Sequence, residues 1–206
     1  MDTQALFKLS YGLFVLTAAA DGRESGCIIN TAGQVTDTPN RISITVNKAN
    51  LTHDLTAQSG KFNLSILSEE ATFDTFRHFG FQSGRDTDKF AGYPHCRRSA
   101  NGLFVVTAGV NAYLSAKVEQ TVDLGTHTLF IASLEDMEVL SQAPSATYAY
   151  YHSSIKPKPQ AAPKPTGKTA WRCVICGYIY EGEELPADFI CPLCKHPASD
   201  FEKITL

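Results

Sequence analysis

Several features are scarce in this sequence, and each absence excludes something. No apolar run approaches the roughly 20 residues that a membrane-crossing helix needs. The one apolar stretch near the N-terminus, YGLFVLTAAA, is broken by Gly12 and Thr17 and runs straight into an Asp-Gly turn. The segment before it carries Asp2 as well as Lys8, so it lacks the net positive charge of a secretory leader. We read this run as a strand and expect a cytoplasmic chain without a membrane partner. Charge of one sign is also scarce: 18 Lys+Arg stand against 21 Asp+Glu, a net charge of −3 with no basic stripe. That balance argues against a nucleic-acid partner. No G-x-G-x-x-G follows a strand, so a Rossmann dinucleotide site is not indicated. There is no internal repeat. Cysteine is sparse, six residues in 206, and four of the six crowd the C-terminus. In a cytoplasmic chain such pairs mean metal more often than disulfide. The other two, Cys27 and Cys96, are isolated and read as small buried hydrophobes.

What is present divides the chain. With 43% hydrophobic and 19% charged residues, 206 residues suffice for one full domain and a small module. Residues 1–155 alternate or run apolar as strands do, in GLFVLTA, RISITVN, FNLSIL, GLFVVTAGVNAYLSAKV and THTLFIASLEDMEVL. Two helical segments interrupt them: LTHDLTAQS, with Asn50 as N-cap and Gly60 as stop, and EEATFDTFRHF, ended by Gly80. More strands than helices, the long ones late, predict a mainly β fold with some α, a barrel rather than an open βαβ sheet. Residues 156–169, with Pro157, Pro159, Pro163 and Pro165 among four lysines, read as an extended polyproline spacer. Residues 170–206 form a segment too short to fold without a metal or disulfides.

The last segment holds two C-x-x-C pairs, Cys173/Cys176 and Cys191/Cys194, with fourteen residues between the pairs. Each pair makes a tight turn presenting two thiolates, and two facing turns make a tetrahedral S4 cage for zinc or for a single iron. The neighbours of the cysteines carry a resemblance. Trp171, Cys176-Gly177-Tyr178, the E-G-E-E of 181–184, C-P-L-C and Phe201-Glu202 resemble rubredoxin, and the short gap resembles the rubredoxin module of rubrerythrins. Aromatic residues around such a site exclude water, and amide donors to sulfur tune its potential. The resemblance implies one mononuclear iron bound by Cys173, Cys176, Cys191 and Cys194. Lys195 departs from it, standing where rubredoxins commonly have a glycine with positive φ.

In the large segment, one strand carries Asn30, Thr31, Gln34 and Thr36, and another ends in Asn47-Lys48 just before a helix opening Asn50-Leu51-Thr52-His53. A helix N-terminus with a nearby lysine, hydroxyl and histidine suits a phosphate; it equally suits a capped helix with solvated neighbours. The run from Asn30 to His53, followed by FGFQSGRDTDKF, GTHTLFIASLEDMEVL and TYAYYH, is similar to the flavin reductase family, FMN-binding split β-barrels of the flavoredoxin kind. The resemblance spans nearly all of 1–155. It implies a Greek-key barrel of six strands, a homodimer with FMN near its interface, and NADH or NADPH as hydride donor. Carried over position by position, it sets Asn30, Thr31 and the Gln34-Val35-Thr36 backbone against the flavin ring or ribityl chain. Asn47, Lys48, Thr52 and His53 would surround the ribityl and phosphate. Lys89 and His127 would reach the flavin from elsewhere, His127 on the catalytic side, and Tyr151 and His152 would be ring neighbours. Thr126 stands where many relatives have an acid.

Together the two resemblances imply a flavin reductase–rubredoxin fusion of a kind found in anaerobes. NAD(P)H would reduce FMN, which passes single electrons to the iron and on to a protein acceptor, such as a flavodiiron protein removing oxygen or nitric oxide. Two other readings remain at this point. One is a flavin reductase releasing reduced FMN to a partner monooxygenase. The other is a flavin-binding module with a structural zinc knuckle used for docking.

Overall fold

The strand Asn40–Asn47 shows how the pattern builds the fold: Ile42, Ile44 and Val46 are buried while the residues between them are only partly so. The computed structural model describes residues 2–157, 169–192 and 196–205. They fall into two compact units, Met1–Ile155 and Lys156–Leu206. The polyproline expectation for 156–169, together with Cys194 and Lys195, falls mostly or wholly outside the described residues.

In the first unit the chain order is β1 (Phe14–Ala20), β2 (Arg23–Ile29), β3 (Ala32–Asp37), β4 (Asn40–Asn47), α1 (Leu51–Ser59), β5 (Lys61–Leu67) and α2 (Phe73–Gly80). Then follow β6 (Cys96–Arg98), β7 (Phe104–Val106), β8 (Val110–Asp123) and β9 (His127–Val139). Asp21 and Gly22, at φ 49° and 75°, make the two-residue turn between β1 and β2. Positive φ at both central positions is what a tight hairpin requires, and Asp-Gly supplies it. Seven strands form one antiparallel sheet in the order β2-β1-β5-β8-β9-β4-β3, while β6 and β7 pair separately. The edge strands β2 and β3 are consecutive in the chain, with only Asn30 and Thr31 between them. The sheet must therefore curl until its edges meet, which makes it a barrel split along one seam. The break at Asn30-Thr31 counts one long run as two strands, hence seven rather than six.

A curled sheet has two faces, and both are covered. Leu16, Ile44, Val46, Phe62, Leu64 and Phe130 cluster on one face. Val15, Leu67, Phe76, Phe79, Val106 and Tyr151 form a second cluster with α2. Neighbouring Val15 and Leu16 are both fully buried, so β1 reads as a continuous apolar run instead of alternating. The helix α1 ends where expected, at Gly60 with φ 66° and its N–H on the Thr56 carbonyl. Asn50 holds the N-cap position, but its side chain makes no cap hydrogen bond. α2 starts four residues later than the sequence pattern suggested, because Ser68–Ala71 are drawn into a turn. There the Ser68 N–H bonds the Gly109 carbonyl, and the Glu69 N–H bonds that of Pro144. Gly109 also splits the predicted strand 102–118 into β7 and β8. Thr147 caps a helical turn, Tyr148–Tyr150, that runs on into a wider turn, Tyr151–Ile155.

The second unit is a three-stranded antiparallel sheet of β10 (Thr169–Cys173), β11 (Ile179–Glu181) and β12 (Phe201–Thr205), in the order β11-β10-β12. Among the described residues, no helix is long and apolar enough to cross a membrane.

Gly109 has φ 64°, and a Cβ there would lie 2.6 Å from the Ala71 Cα. Gly109→Ala should cost about 2 kcal/mol or more, lowering the thermal midpoint of the first unit by roughly 5 °C. Circular-dichroism melting checks this, and an unchanged midpoint would mean that the turn relaxes freely.

Candidate flavin site and thiol cluster

The N-terminus of α1, strand β2 and the segment 79–89 enclose a cavity of about 270 Å³ lined by Ser25, Cys27, Thr52, Ser83, Gly84 and Lys89, among others. Its floor is cationic. Lys89 is 2% exposed, and its ammonium donates to the carbonyls of Gly26 at 2.8 Å and Phe79 at 2.9 Å. No carboxylate among the described residues pairs with it. Burial pushes the Lys89 pKa below its ordinary value, and it raises that of the neighbouring Cys27 thiol to about 11. Cys27 is therefore an inert wall of the cavity, as its isolation in the sequence suggested. A buried cation without a carboxylate partner is costly by itself and is relieved by an anion placed beside it. The free N–H groups and dipole of the α1 N-terminus favour the same charge. An anionic group on a larger ligand fits this cavity.

Thr52, almost fully buried, donates to the Ser25 hydroxyl at 3.2 Å across the cavity wall. One residue on, His53 turns the other way: its Nε2 meets the Thr128 hydroxyl at 2.8 Å, and its Nδ1 meets the Asp54 carboxylate at 2.9 Å. The imidazole rests near the Phe130 ring of the barrel core, with centroids 5.7 Å apart. Asp54 also accepts from Arg85 at 2.8 Å. The hydrogen bonds from His53 and then Arg85 hold its carboxyl below the usual range.

The registers show which other expected residues share this region. Asn47 stands opposite His127, and Val46 opposite Thr128. Thr31 bonds Thr45 twice, through its hydroxyl at 2.7 Å and through its carbonyl at 3.0 Å. The ends of β2 and β4, the start of β9 and the opening of α1 thus bring together Asn30, Thr31, Asn47, Lys48, Thr52, His53 and His127. Lys48 is committed to Asp123 at 2.7 Å, and its N–H bonds the Thr126 carbonyl. Asp123 is lowered in pKa by that lysine and by the Gly125 N–H. His127 Nδ1 lies 2.9 Å from the Thr126 hydroxyl. Gln34, Val35 and Thr36 sit further along β3, where Gln34 borders a second, apolar cavity of about 290 Å³ with Phe14, Ile42 and Met137. Tyr151 is placed in the outer core, its ring 4.4 Å from that of Phe76.

Sequence reasoning missed Ser25, Cys27, Ser83, Asp54 and Arg85. The S-G-R-D run held a signal for the loop residues. Ser25 and Cys27 had none, because strand residues facing a cavity look like any others facing a core.

In the second unit, the first pair of cysteines closes a knuckle: the Gly177 N–H bonds the Cys173 carbonyl at 2.9 Å, and the Cys173 N–H bonds that of Tyr178 at 2.8 Å. Gly177 has φ 78°, the conformation that only glycine adopts easily. The sulfurs of Cys173, Cys176 and Cys191 are buried and lie within 4.8 Å of one another, with Cys176 and Cys191 at 3.5 Å. Ligand sulfurs around one tetrahedral ion, at metal–sulfur bonds near 2.3 Å, stand roughly 3.8 Å apart. The three thiols therefore fit a single metal ion. Phe189 packs against Tyr180 at 4.7 Å and Phe201 at 5.4 Å, and Phe201 stands opposite Cys173 in the sheet, so an apolar wall adjoins the thiols.

Comparison with known proteins agrees with both halves. Residues 6–158 match the flavin reductase like domain family, and residues 171–202 match the rubrerythrin, rubredoxin-like domain. The chain is 38% identical to the high molecular weight rubredoxin of Moorella thermoacetica, over 99% of this chain and 100% of that one. It is 39% identical to a ferric-chelate reductase (NAD(P)H) of Archaeoglobus fulgidus, over 77% of this chain and 93% of that one. Among solved structures, the NADH:FAD oxidoreductase SgcE6 of Streptomyces globisporus C-1027 superposes with a TM-score of 0.63 at 19% identity, covering 70% of this chain and 84% of its own. At that identity the likeness speaks for the fold. The chain belongs to the flavin reductase-like family of oxidoreductases, with a rubredoxin-like iron domain joined to it in the same polypeptide.

Proposed function

We propose that this chain is an NAD(P)H:rubredoxin oxidoreductase in one polypeptide, with FMN held by residues 1–155, a spacer over 156–169 and iron held by residues 170–206. Its electrons leave to a protein acceptor, for which a flavodiiron oxygen or nitric oxide reductase is the candidate. The observation that carries the reading is the presence, in one chain, of an anion-suited cavity with a buried cation and a buried cluster of thiols. Bound FMN supplies hydride acceptance and release of electrons one at a time, and bound iron supplies one-electron storage.

The residues have distinct tasks. Lys89 and the α1 amides hold the FMN phosphate, and Thr52 with Ser25 shapes that wall. Asn30, Thr31, Asn47 and His53 line the approach of the ribityl chain, and the backbone of Gln34-Val35-Thr36 and the ring of Tyr151 stay in the proposed contact set. His127, beside Thr126, stands on the side where the nicotinamide meets the flavin. Lys48, held by Asp123, fixes the β8–β9 hairpin against the end of β4. In the second unit Cys173, Cys176, Cys191 and Cys194 hold the iron, and Phe189 and Phe201 keep water from it. The relative from Archaeoglobus, with its NAD(P)H-dependent ferric-chelate reductase activity, supports a nicotinamide donor for the first unit. We further propose a homodimer, with FMN near the interface, in the cytoplasm.

Cys176→Ser should abolish electron delivery to a protein acceptor while NADH still bleaches the flavin at the normal rate. Delivery at an undiminished rate in that variant takes iron off the path. Lys89→Met should weaken FMN binding by about tenfold or more, as loss of a charge-assisted contact does. Fluorescence titration of the apoprotein reads this, and unchanged affinity would place the phosphate elsewhere.

A further inference from the structure

Two walls of the cavity come from different parts of the chain: the opening of α1, and the loop containing Gln82, Ser83 and Gly84. That loop forms no strand or helix. Gly84 packs close to Leu51 and Ser25, and among the described residues the hydrogen bond from the loop to α1 is accepted by one side chain. Asp54, in the first turn of α1, accepts from Arg85 at 2.8 Å through one carboxylate oxygen and from His53 at 2.9 Å through the other. The Arg85 N–H in turn bonds the Ser83 hydroxyl at 3.1 Å. His53 continues the chain of contacts to Thr128 on β9 at 2.8 Å. One carboxylate thus links the loop, the helix and, through His53, the barrel wall.

The sign of its charge is what makes Asp54 informative. A carboxylate close to an anion site repels the anion, so an acid serving only as a surface charge would weaken the binding it sits beside. We infer that Asp54 is a positioning residue. It holds the 82–85 loop against α1 through Arg85 and fixes the His53 ring through Nδ1, so that the wall receiving the ligand's anionic group is formed before the ligand arrives. Its contribution to binding is favourable despite its charge. Preorganisation of this kind raises affinity by removing the ordering cost from the binding step. Both partners of the Arg85–Asp54 pair are 47% exposed, so the pair alone is a modest tie. The bond to His53, whose side chain is only 12% exposed, anchors it.

The inference rests on the reading that the cavity takes the phosphate of FMN, and the test separates the two. Apoprotein is titrated with FMN and with riboflavin, for the unaltered chain, Asp54→Asn, Arg85→Gln and the double variant. If the phosphate reading holds, the unaltered chain binds FMN more tightly than riboflavin; equal affinities withdraw that reading and the inference with it. Given the preference, Asp54→Asn should weaken FMN binding about threefold to tenfold and change riboflavin less than about twofold. The double variant should lose less than the product of the two single losses, since both cut the same tie. Tighter or unchanged FMN binding in Asp54→Asn overturns the inference, because Asp54 is then only a charge beside the site. A parallel loss for FMN and riboflavin also overturns it, since that marks general loosening of the unit.

Discussion

Only two residues, Asn30 and Thr31, join the two edges of a seven-stranded sheet, and the first unit is organised around that short connection. Because β2 and β3 are consecutive in the chain yet lie at opposite ends of the strand order, the sheet has to close on itself. The short connection carries the end of β2 directly into the β3–β4 pairing, where Thr31 extends the ladder opposite Thr45. On the other side of β4, the start of β9 stands opposite Asn47. α1 leaves the barrel directly after that point, so its N-terminal amides face the cavity. The ladder is not regular throughout: the register between β3 and β4 shifts between Gln34 and Thr36.

Electrostatics then decide what the cavity can hold. The Lys89 ammonium donates to two carbonyls, yet among the described residues no acid pairs with it. A positive floor next to a helix N-terminus recruits an anion, and the family supplies a phosphorylated flavin as the candidate. The second unit solves a different problem. Among the described residues its apolar contacts are small, Ala170 and Ile179 with Ile204 and the Tyr180–Phe189–Phe201 aromatic group, little to hold so short a chain by burial alone. A metal held by the thiol cluster would staple this unit, as metal binding does in other chains this short.

Much of this was legible in the residues. The strand periods located β1, β4, β5 and β9, and Gly60 marked the end of α1, because those signals are local. The two C-x-x-C turns, with their glycine and aromatic neighbours, pointed to a sulfur cage for the same reason. What stayed hidden depends on tertiary contact. The 102–118 strand breaks at a turn where Gly109 has positive φ and lies close against Ala71, a contact no window of sequence reveals. The cavity walls Ser25 and Cys27 are strand residues with no mark of their own. Asp54 reads as an ordinary helix-opening acid until Arg85, distant in sequence, is seen beside it. The family resemblance named Lys89, and only the structure shows that it is buried, with no carboxylate partner among the described residues.

In the proposed relay, one polypeptide carries electrons from a nicotinamide through flavin to iron. The most direct test is the absorption spectrum of the purified full chain, with metal analysis, before and after anaerobic NADH or NADPH. The relay requires flavin bands together with ferric–thiolate bands, stoichiometric iron, and bleaching of both chromophores by the nucleotide. Bleaching of flavin alone, in protein that contains only zinc even from iron-replete cells, would contradict it.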